Sequence, residues 1–133
     1  MKKSAFLIVV ILAAMETVGL SQTKSGRENL KNDTISVDSV EYQLIIMDPA
    51  FDAWLAAKPS KNFYSDNYYI QKNRYYVDEW NLRYTSENSN GLYDNYIDYN
   101  PDLNYGLDLN YRLFYYFRYF EETNHVKLLP FSR

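Results

Sequence analysis

Apolar and polar positions divide this chain of 133 residues into a few distinct blocks. Lys2 and Lys3 precede an unbroken apolar run of 11 residues, Ala5 to Met15, which Glu16 ends. A helix that crosses a bilayer takes about 20 apolar residues, so this run is too short to span. Small residues Gly19 and Ser21 then stand at the −3 and −1 positions of a cut before Gln22. That order of charge, short apolar run and small residues predicts a signal peptide over 1–21. An uncleaved N-terminal anchor is the alternative, and Glu16 makes it a poor one. Residues 22–38 are polar and carry no aromatic side chain, which predicts a flexible polar tether. A single globular, aromatic-rich domain over 39–133 follows.

Within that domain the pattern changes twice. Val40, Tyr42, Leu44, Ile45, Ile46 and Met47 form a short β-branched and aliphatic run, which predicts a largely buried strand. A lone strand leaves its backbone groups unpaired. Its partner is expected to be the run His125 to Leu129 or another chain. Asp48-Pro49 then reads as a helix start, with Asp as N-cap and Pro at the first helical position. The helix is expected to end before Pro59, with Phe51, Trp54 and Leu55 on one face. Ser65 or Asp66 caps a second helix over about 67–84, with Ile70, Val77, Trp80 and Tyr84 on one stripe, Asn73 filling a gap and Tyr69 and Tyr76 flanking. Residues 85–106 are rich in turn formers, carry no basic residue and scatter tyrosines among acids, so the loop is expected to pack down. The segment 107–122 suits a strand by its Tyr and Phe content and a helix by its length. Length decides for a helix, with Leu109, Leu113, Phe117 and Phe120 as its stripe. The fold class is therefore α-dominated (α+β): about three helices with a short β-strand element.

Composition narrows the chemistry. The chain has no Cys and one His, which excludes disulfides, thiol nucleophiles and a multi-His metal site within one chain. The formal charge is −3, and −4 once residues 1–21 with their two lysines and one glutamate are taken away. That argues against nucleic acid as a partner. All 15 Tyr lie after the cut, with 13 Asn and 10 Asp. Buried phenol hydroxyls need partners, and Asn and Asp side chains can supply them.

The stretches EYQLIIMDPAFDAWL (Glu41 to Leu55), KNRYYVDEWNLR (Lys72 to Arg83) and DLNYGLDLNYRLFYYFRYF (Asp102 to Phe120) resemble a family of small exported Bacteroidota proteins known only as a domain of unknown function. Asp-Pro-x-Phe-x-x-Trp-Leu after the strand and Tyr-Val-x-Glu-Trp-Asn in the second helix are its more specific parts. The resemblance implies compartment and fold and brings no activity. Many family members look like lipoproteins, whereas this chain has no Cys to acylate.

Few residues suggest catalysis. Asp78 and Glu79 are neighbours on one helix and point apart, so they make a poor pair for glycoside hydrolysis. His125 has no Gly-x-Ser-x-Gly elbow to serve. Asp102-x-Asn104-x-Gly106-x-Asp108 resembles a calcium loop, but its Gly comes one place early and Leu113 stands where the bidentate Glu belongs. No metal and no cofactor are expected. Trp54, Trp80, Tyr93 and Tyr96 are the candidate ligand-binding residues, since aromatic rings stack on sugars and peptides; packing in the core is the competing reading for both tryptophans. Thr34 and Ser39, in Asp-Thr-Ile and Asp-Ser-Val, match an O-glycosylation acceptor pattern.

These readings combine into an exported, periplasmic or envelope-associated module without catalytic activity, holding an unidentified envelope protein or glycan, with no membrane span after cleavage. Two alternatives remain: an enzyme acting on envelope glycan through carboxylates of the 87–108 loop, and self-association through the edge of the 40–47 strand.

Overall fold

In a computed structural model, residues 7–12, 41–87 and 90–130 are described. Three helices and a two-stranded antiparallel element make up the fold: β1 (Leu7–Leu12), β2 (Glu41–Ile46), α1 (Pro49–Leu55), α2 (Asp66–Thr85) and α3 (Leu107–Asn124). The fold is helix-dominated, as the periodicity predicts. Residues 22–38 and the O-glycosylation candidates Thr34 and Ser39 lie outside the described residues, as do the cleavage position and most of 1–21.

α3 is the central element. Eleven of its 18 residues are buried, from Leu109 to Glu121. A helix that is apolar nearly all round has to be surrounded, and here α1, α2 and β2 each pack against it. The expected stripe of Leu109, Leu113, Phe117 and Phe120 is buried, together with the rings at 111, 114, 115, 116 and 119. The helix starts at Gly106, whose φ of +84° suits glycine. It ends at His125, a non-glycine residue in the left-handed region.

Both predicted N-caps form. The Asp48 side chain accepts from the Ala50 N–H at 2.9 Å, with Pro49 beside it. The Ser65 hydroxyl accepts from the Tyr68 N–H at 3.2 Å. α2 runs for 20 residues and packs along α3, with Tyr76 stacked on Phe117 at 4.9 Å and Trp80 edge-on to Phe120 at 4.6 Å. Its buried positions are Tyr69, Asn73, Tyr76, Val77 and Trp80. This corrects the expected stripe: Tyr84 is exposed and Ile70 only half-buried, while the flanking tyrosines turn inward. Aromatic area, not aliphatic character, sets the phase of the helix.

The strand's partner also differs from expectation. β2 pairs with β1, from Leu7 opposite Ile46 to Leu12 opposite Glu41. Residues 125–129 form no strand. His125 turns the chain back, Leu128 is buried, and the Leu128 N–H is held by the Glu121 carboxylate at 2.8 Å. Backbone groups engaged in that way cannot join a ladder. On β2, Leu44 and Ile46 pack on the core, and Tyr42 lies edge-on to Tyr105 at 4.6 Å.

The long loop packs down through α2. Asn81 donates to the Ile97 carbonyl at 2.9 Å and accepts from the Ile97 N–H at 2.8 Å, and the Trp80 indole donates to the Asn95 carbonyl at 2.8 Å. Arg83 reaches the C-terminal segment at the Lys127 carbonyl, 2.8 Å away. No described helix is long and apolar enough to cross a membrane.

Candidate functional site

The clearest concavity lies where the end of α1 meets the C-terminal end of α3. It encloses about 590 Å³, and Trp54, Tyr115, Arg118 and His125 line it, together with Lys58, the Glu121–Glu122 pair, Val126 and Lys127.

Spacing brings these side chains together. Lys58 follows α1 in the turn after its C-cap Ala56, which returns its ammonium over the Trp54 ring. Tyr115, Arg118 and Glu122 follow one line along α3 at three- and four-residue steps, and His125 caps its end. α1 is fixed against that line by the Asp52–Arg112 ion pair at 2.9 Å and by the Asp48 carboxylate, which accepts from the Tyr119 hydroxyl at 2.8 Å. Asp48 therefore serves both as helix cap and as tie to α3.

Trp54 is half-buried, its ring edge-on to Tyr119 at 5.3 Å and Tyr115 at 6.3 Å. The Lys58 ammonium lies 3.9 Å from the indole centroid, and 3.8 Å from the Glu122 carboxylate. The Trp54 indole N–H is buried, with no hydrogen-bond acceptor among the described residues. An unsatisfied buried donor costs about 1–3 kcal/mol. His125 adds a second local cost, since its φ of 55° and ψ of 38° place a side-chain-bearing residue where a helix end favours glycine. Both fall at residues that line the cleft.

The two carboxylates differ. Glu121 is 6% exposed and structural: its Oε1 accepts from the Leu128 and Leu129 N–H groups, and its Oε2 accepts from Tyr76 and lies 3.7 Å from Arg118. Glu122 is exposed and paired with Lys58. Burial works against the charge on Arg118, but the Tyr76 hydroxyl and Glu121 beside it outweigh that and hold its pKa above the ordinary value. Burial, reinforced by the phenols of Tyr69, Tyr111 and Tyr64, pushes the Tyr115 hydroxyl up to about 12. At neutral pH the cleft thus presents a protonated phenol and a firmly charged guanidinium: a binding surface, with Glu121 already engaged as an acceptor.

The residues singled out from the sequence do not converge. Trp54 floors the cleft. Trp80 is 1% exposed and lies in a separate ring cluster with Tyr93, Phe117 and Phe120. Tyr93 is 7% exposed, its hydroxyl accepting from Arg83 at 2.9 Å. Tyr96 is 59% exposed, near Tyr84 on a different surface. Of the loop acids, Asp102 shares a smaller groove with Asp78, Arg74 and Tyr99. Asp108 pairs with Lys61 at 3.2 Å, and Asn100 and Asn104 side chains accept from backbone N–H groups of their own turns. Among the described residues, no three His, Asp or Glu side chains are grouped to hold a metal ion. Sequence reasoning missed Lys58, Tyr115, Arg118 and His125 as a set; their helical spacing was the available signal.

Residues 5–133 match the model of a family described as a family of unknown function, DUF6146. No curated protein and no solved structure matches the chain.

Proposed function

The chain belongs to that family, and we propose that it is a non-catalytic binding module whose ligand seats in the cleft between α1 and α3. The observation that carries this reading is the cleft itself, about 590 Å³, in which the half-buried Trp54 ring meets Lys58, Arg118 and His125. An aromatic floor edged by charged side chains suits a ligand with both a flat face and polar groups, and the left-handed cap at His125 fits a site whose geometry is held for binding. We further propose that residues 1–21 are a signal peptide, that the mature domain works in the cell envelope of a Bacteroidota host, and that Thr34 and Ser39 are sites of O-glycosylation. The order of charge, apolar run and small residues supports the first, the family resemblance the second, and the two acceptor patterns in the polar arm the third.

Tryptophan fluorescence tests the central point. Panels of envelope glycans and peptides are screened against the chain, and hits are repeated on Trp54→Phe. Ligands that perturb wild-type emission and lose that effect in the variant support the cleft. Binding that survives unchanged in Trp54→Phe, or a panel without hits, overturns it.

One observation favours a second reading. β2 takes an antiparallel strand from the segment assigned to the leader. If residues 1–21 are cut away, that edge is open to a strand from a second copy. Sedimentation of the mature chain showing only monomer at high concentration would remove this alternative.

A further inference from the structure

We propose that Tyr64 and Tyr68 form a site of oxidative cross-linking, at which an oxidant of the peroxidase class, with hydrogen peroxide, joins the two rings into a dityrosine. The pair sits at the start of α2, and nothing in its chemistry depends on the cleft.

Tyr64 precedes the capping Ser65, and Tyr68 lies in the first turn of α2. Across the cap the two rings lie nearly parallel, 21° apart in plane, with centroids 4.1 Å apart. Facing ring carbons at that separation are in van der Waals contact. Both rings point the same way. Burial raises the Tyr68 pKa first, and the charge and hydroxyl of Tyr64 beside it raise it further, so the two hydroxyls lie together. The ortho carbons that flank each hydroxyl therefore face one another. The pair is also within reach of an oxidant, since Tyr64 is 37% exposed and Tyr68 half-buried. Phe63 lies edge-on to Tyr64 at 4.7 Å, and Phe114 edge-on to Tyr68 at 6.0 Å.

One-electron oxidation of a phenol takes an electron from the ring and the proton from its hydroxyl. The radical that remains carries its spin on the oxygen and the ortho carbons. Two such radicals join through one new carbon–carbon bond between ortho carbons. Each of those carbons then passes its hydrogen to its own ring oxygen, which restores both phenols. Two tyrosines and one hydrogen peroxide thus give one dityrosine and two waters. The chain has no Cys to intercept either radical. Held side by side, the two rings meet at an effective concentration that a second chain in dilute solution does not reach. A second stacked pair, Tyr99 and Tyr105, is a poorer site. Its centroids are 5.0 Å apart, the Tyr99 hydroxyl donates to Asn110, and the Tyr105 hydroxyl accepts from the Asn100 N–H. Tyr42–Tyr105 and Tyr111–Tyr115 meet edge-on, at 72° and 60°. A bond between Tyr64 and Tyr68 ties the residue before the cap to the first turn, so it fixes the entry of the chain into α2 without a disulfide.

The full chain is treated with a peroxidase and hydrogen peroxide, digested with trypsin, and read by dityrosine fluorescence and peptide mass. The expected product is the peptide Asn62 to Lys72 lighter by two hydrogens, with no fragment ions between Tyr64 and Tyr68, from a chain that still runs as a monomer on a denaturing gel. Tyr64→Phe and Tyr68→Phe each keep a ring in the stack, and each is expected to lose that product. Tyr75→Phe, at a ring 60% exposed and outside the pair, is expected to keep it. Cross-links found mainly at Tyr99–Tyr105 or between two chains overturn the proposal. So does a linked peptide that survives in Tyr64→Phe, or a peptide of unchanged mass under conditions that couple free tyrosine.

Discussion

Removing the Glu121 carboxylate should detach the C-terminal segment and unsettle the cleft behind it. Glu121 is buried at the end of α3, with its Oε1 at 2.8 Å from the Leu128 N–H and 3.4 Å from the Leu129 N–H. Its Oε2 accepts from Tyr76 at 3.4 Å and lies 3.7 Å from Arg118. Hydrogen bonds to a charged acceptor are worth about 1.5–3 kcal/mol each, but only the contact to Leu128 is short. Breaking a buried pair by removing one partner costs about 3–5 kcal/mol. Arg118 keeps 28% side-chain exposure and can recover part of its hydration. Glu121→Ala is therefore expected at the lower end, about 3 kcal/mol, and Glu121→Gln, which retains an acceptor for the Leu128 N–H, at about half of that. Urea unfolding followed by circular dichroism gives both values, with the midpoint lowered and the slope unchanged if unfolding stays two-state. Amide exchange supplies a local check, since the Leu128 N–H should lose its protection in the alanine variant. A loss of less than about 1 kcal/mol, with Leu128 still protected, would refute the assignment of Glu121 as the anchor of the tail.

Asn110→Ala should cost about 2–3 kcal/mol by urea unfolding, because the fully buried Asn110 side chain donates to Asp66 at 2.8 Å and accepts from Tyr99 at 3.0 Å, joining α2, α3 and the long loop; a neutral substitution would show that water replaces it. Stability should also fall steeply at alkaline pH. Burial pushes the hydroxyls of Tyr115 and Tyr119 up to about 12, with the Asp48 carboxylate adding to the effect at Tyr119. The folded state therefore keeps protons that the unfolded chain releases near pH 10, so these groups favour folding fully below about pH 10 and lose that contribution as pH rises towards about 12. Absorbance at 295 nm should show phenols that ionise only with the loss of helical signal; an unfolding midpoint that is level across that window would contradict the burial of these rings.

Local signals were legible wherever the chemistry is local. Asp48-Pro49 and Ser65 cap their helices because the caps involve only neighbouring residues. The phase of α2 was less legible. Tyrosine carries both a large apolar ring and a polar tip, so spacing alone could not decide between a stripe edged by Ile70 and Tyr84 and one edged by Tyr69 and Tyr76. The structure buries Tyr69 and Tyr76 because α3 presents rings to them, with Phe114 5.5 Å from Tyr69 and Phe117 4.9 Å from Tyr76. The run Leu7–Leu12 shows a different limit. A short aliphatic stretch suits a leader core and a strand equally well, and only the register opposite Glu41–Ile46 distinguishes the pairing.

The cleft was hidden for a related reason. Most of α3 is covered, Asn110 and Glu121 included, and its remaining charged residues fall on what is left. Arg118, Glu122 and His125 lie on that remainder, and by sequence they read as the solvated side of a helix. What turns a solvated stripe into a cleft is the short helix α1, set against it by Asp52–Arg112 and by the hydroxyl of Tyr119 on Asp48. Those contacts span 60 and 71 residues, beyond any window in which periodicity can be read. Trp54 then has one edge on packed rings and Lys58 over its face. The tyrosine excess follows the same division. Phenols at 69, 76, 111, 115, 116 and 119 build the frame, and the hydroxyls of Tyr76, Tyr111 and Tyr119 tie elements to one another, as Tyr111 does to the Pro59 carbonyl at 2.9 Å. In this fold the tyrosines position the cleft, and α1 with the end of α3 sets Lys58, Arg118 and Glu122 around the face of Trp54.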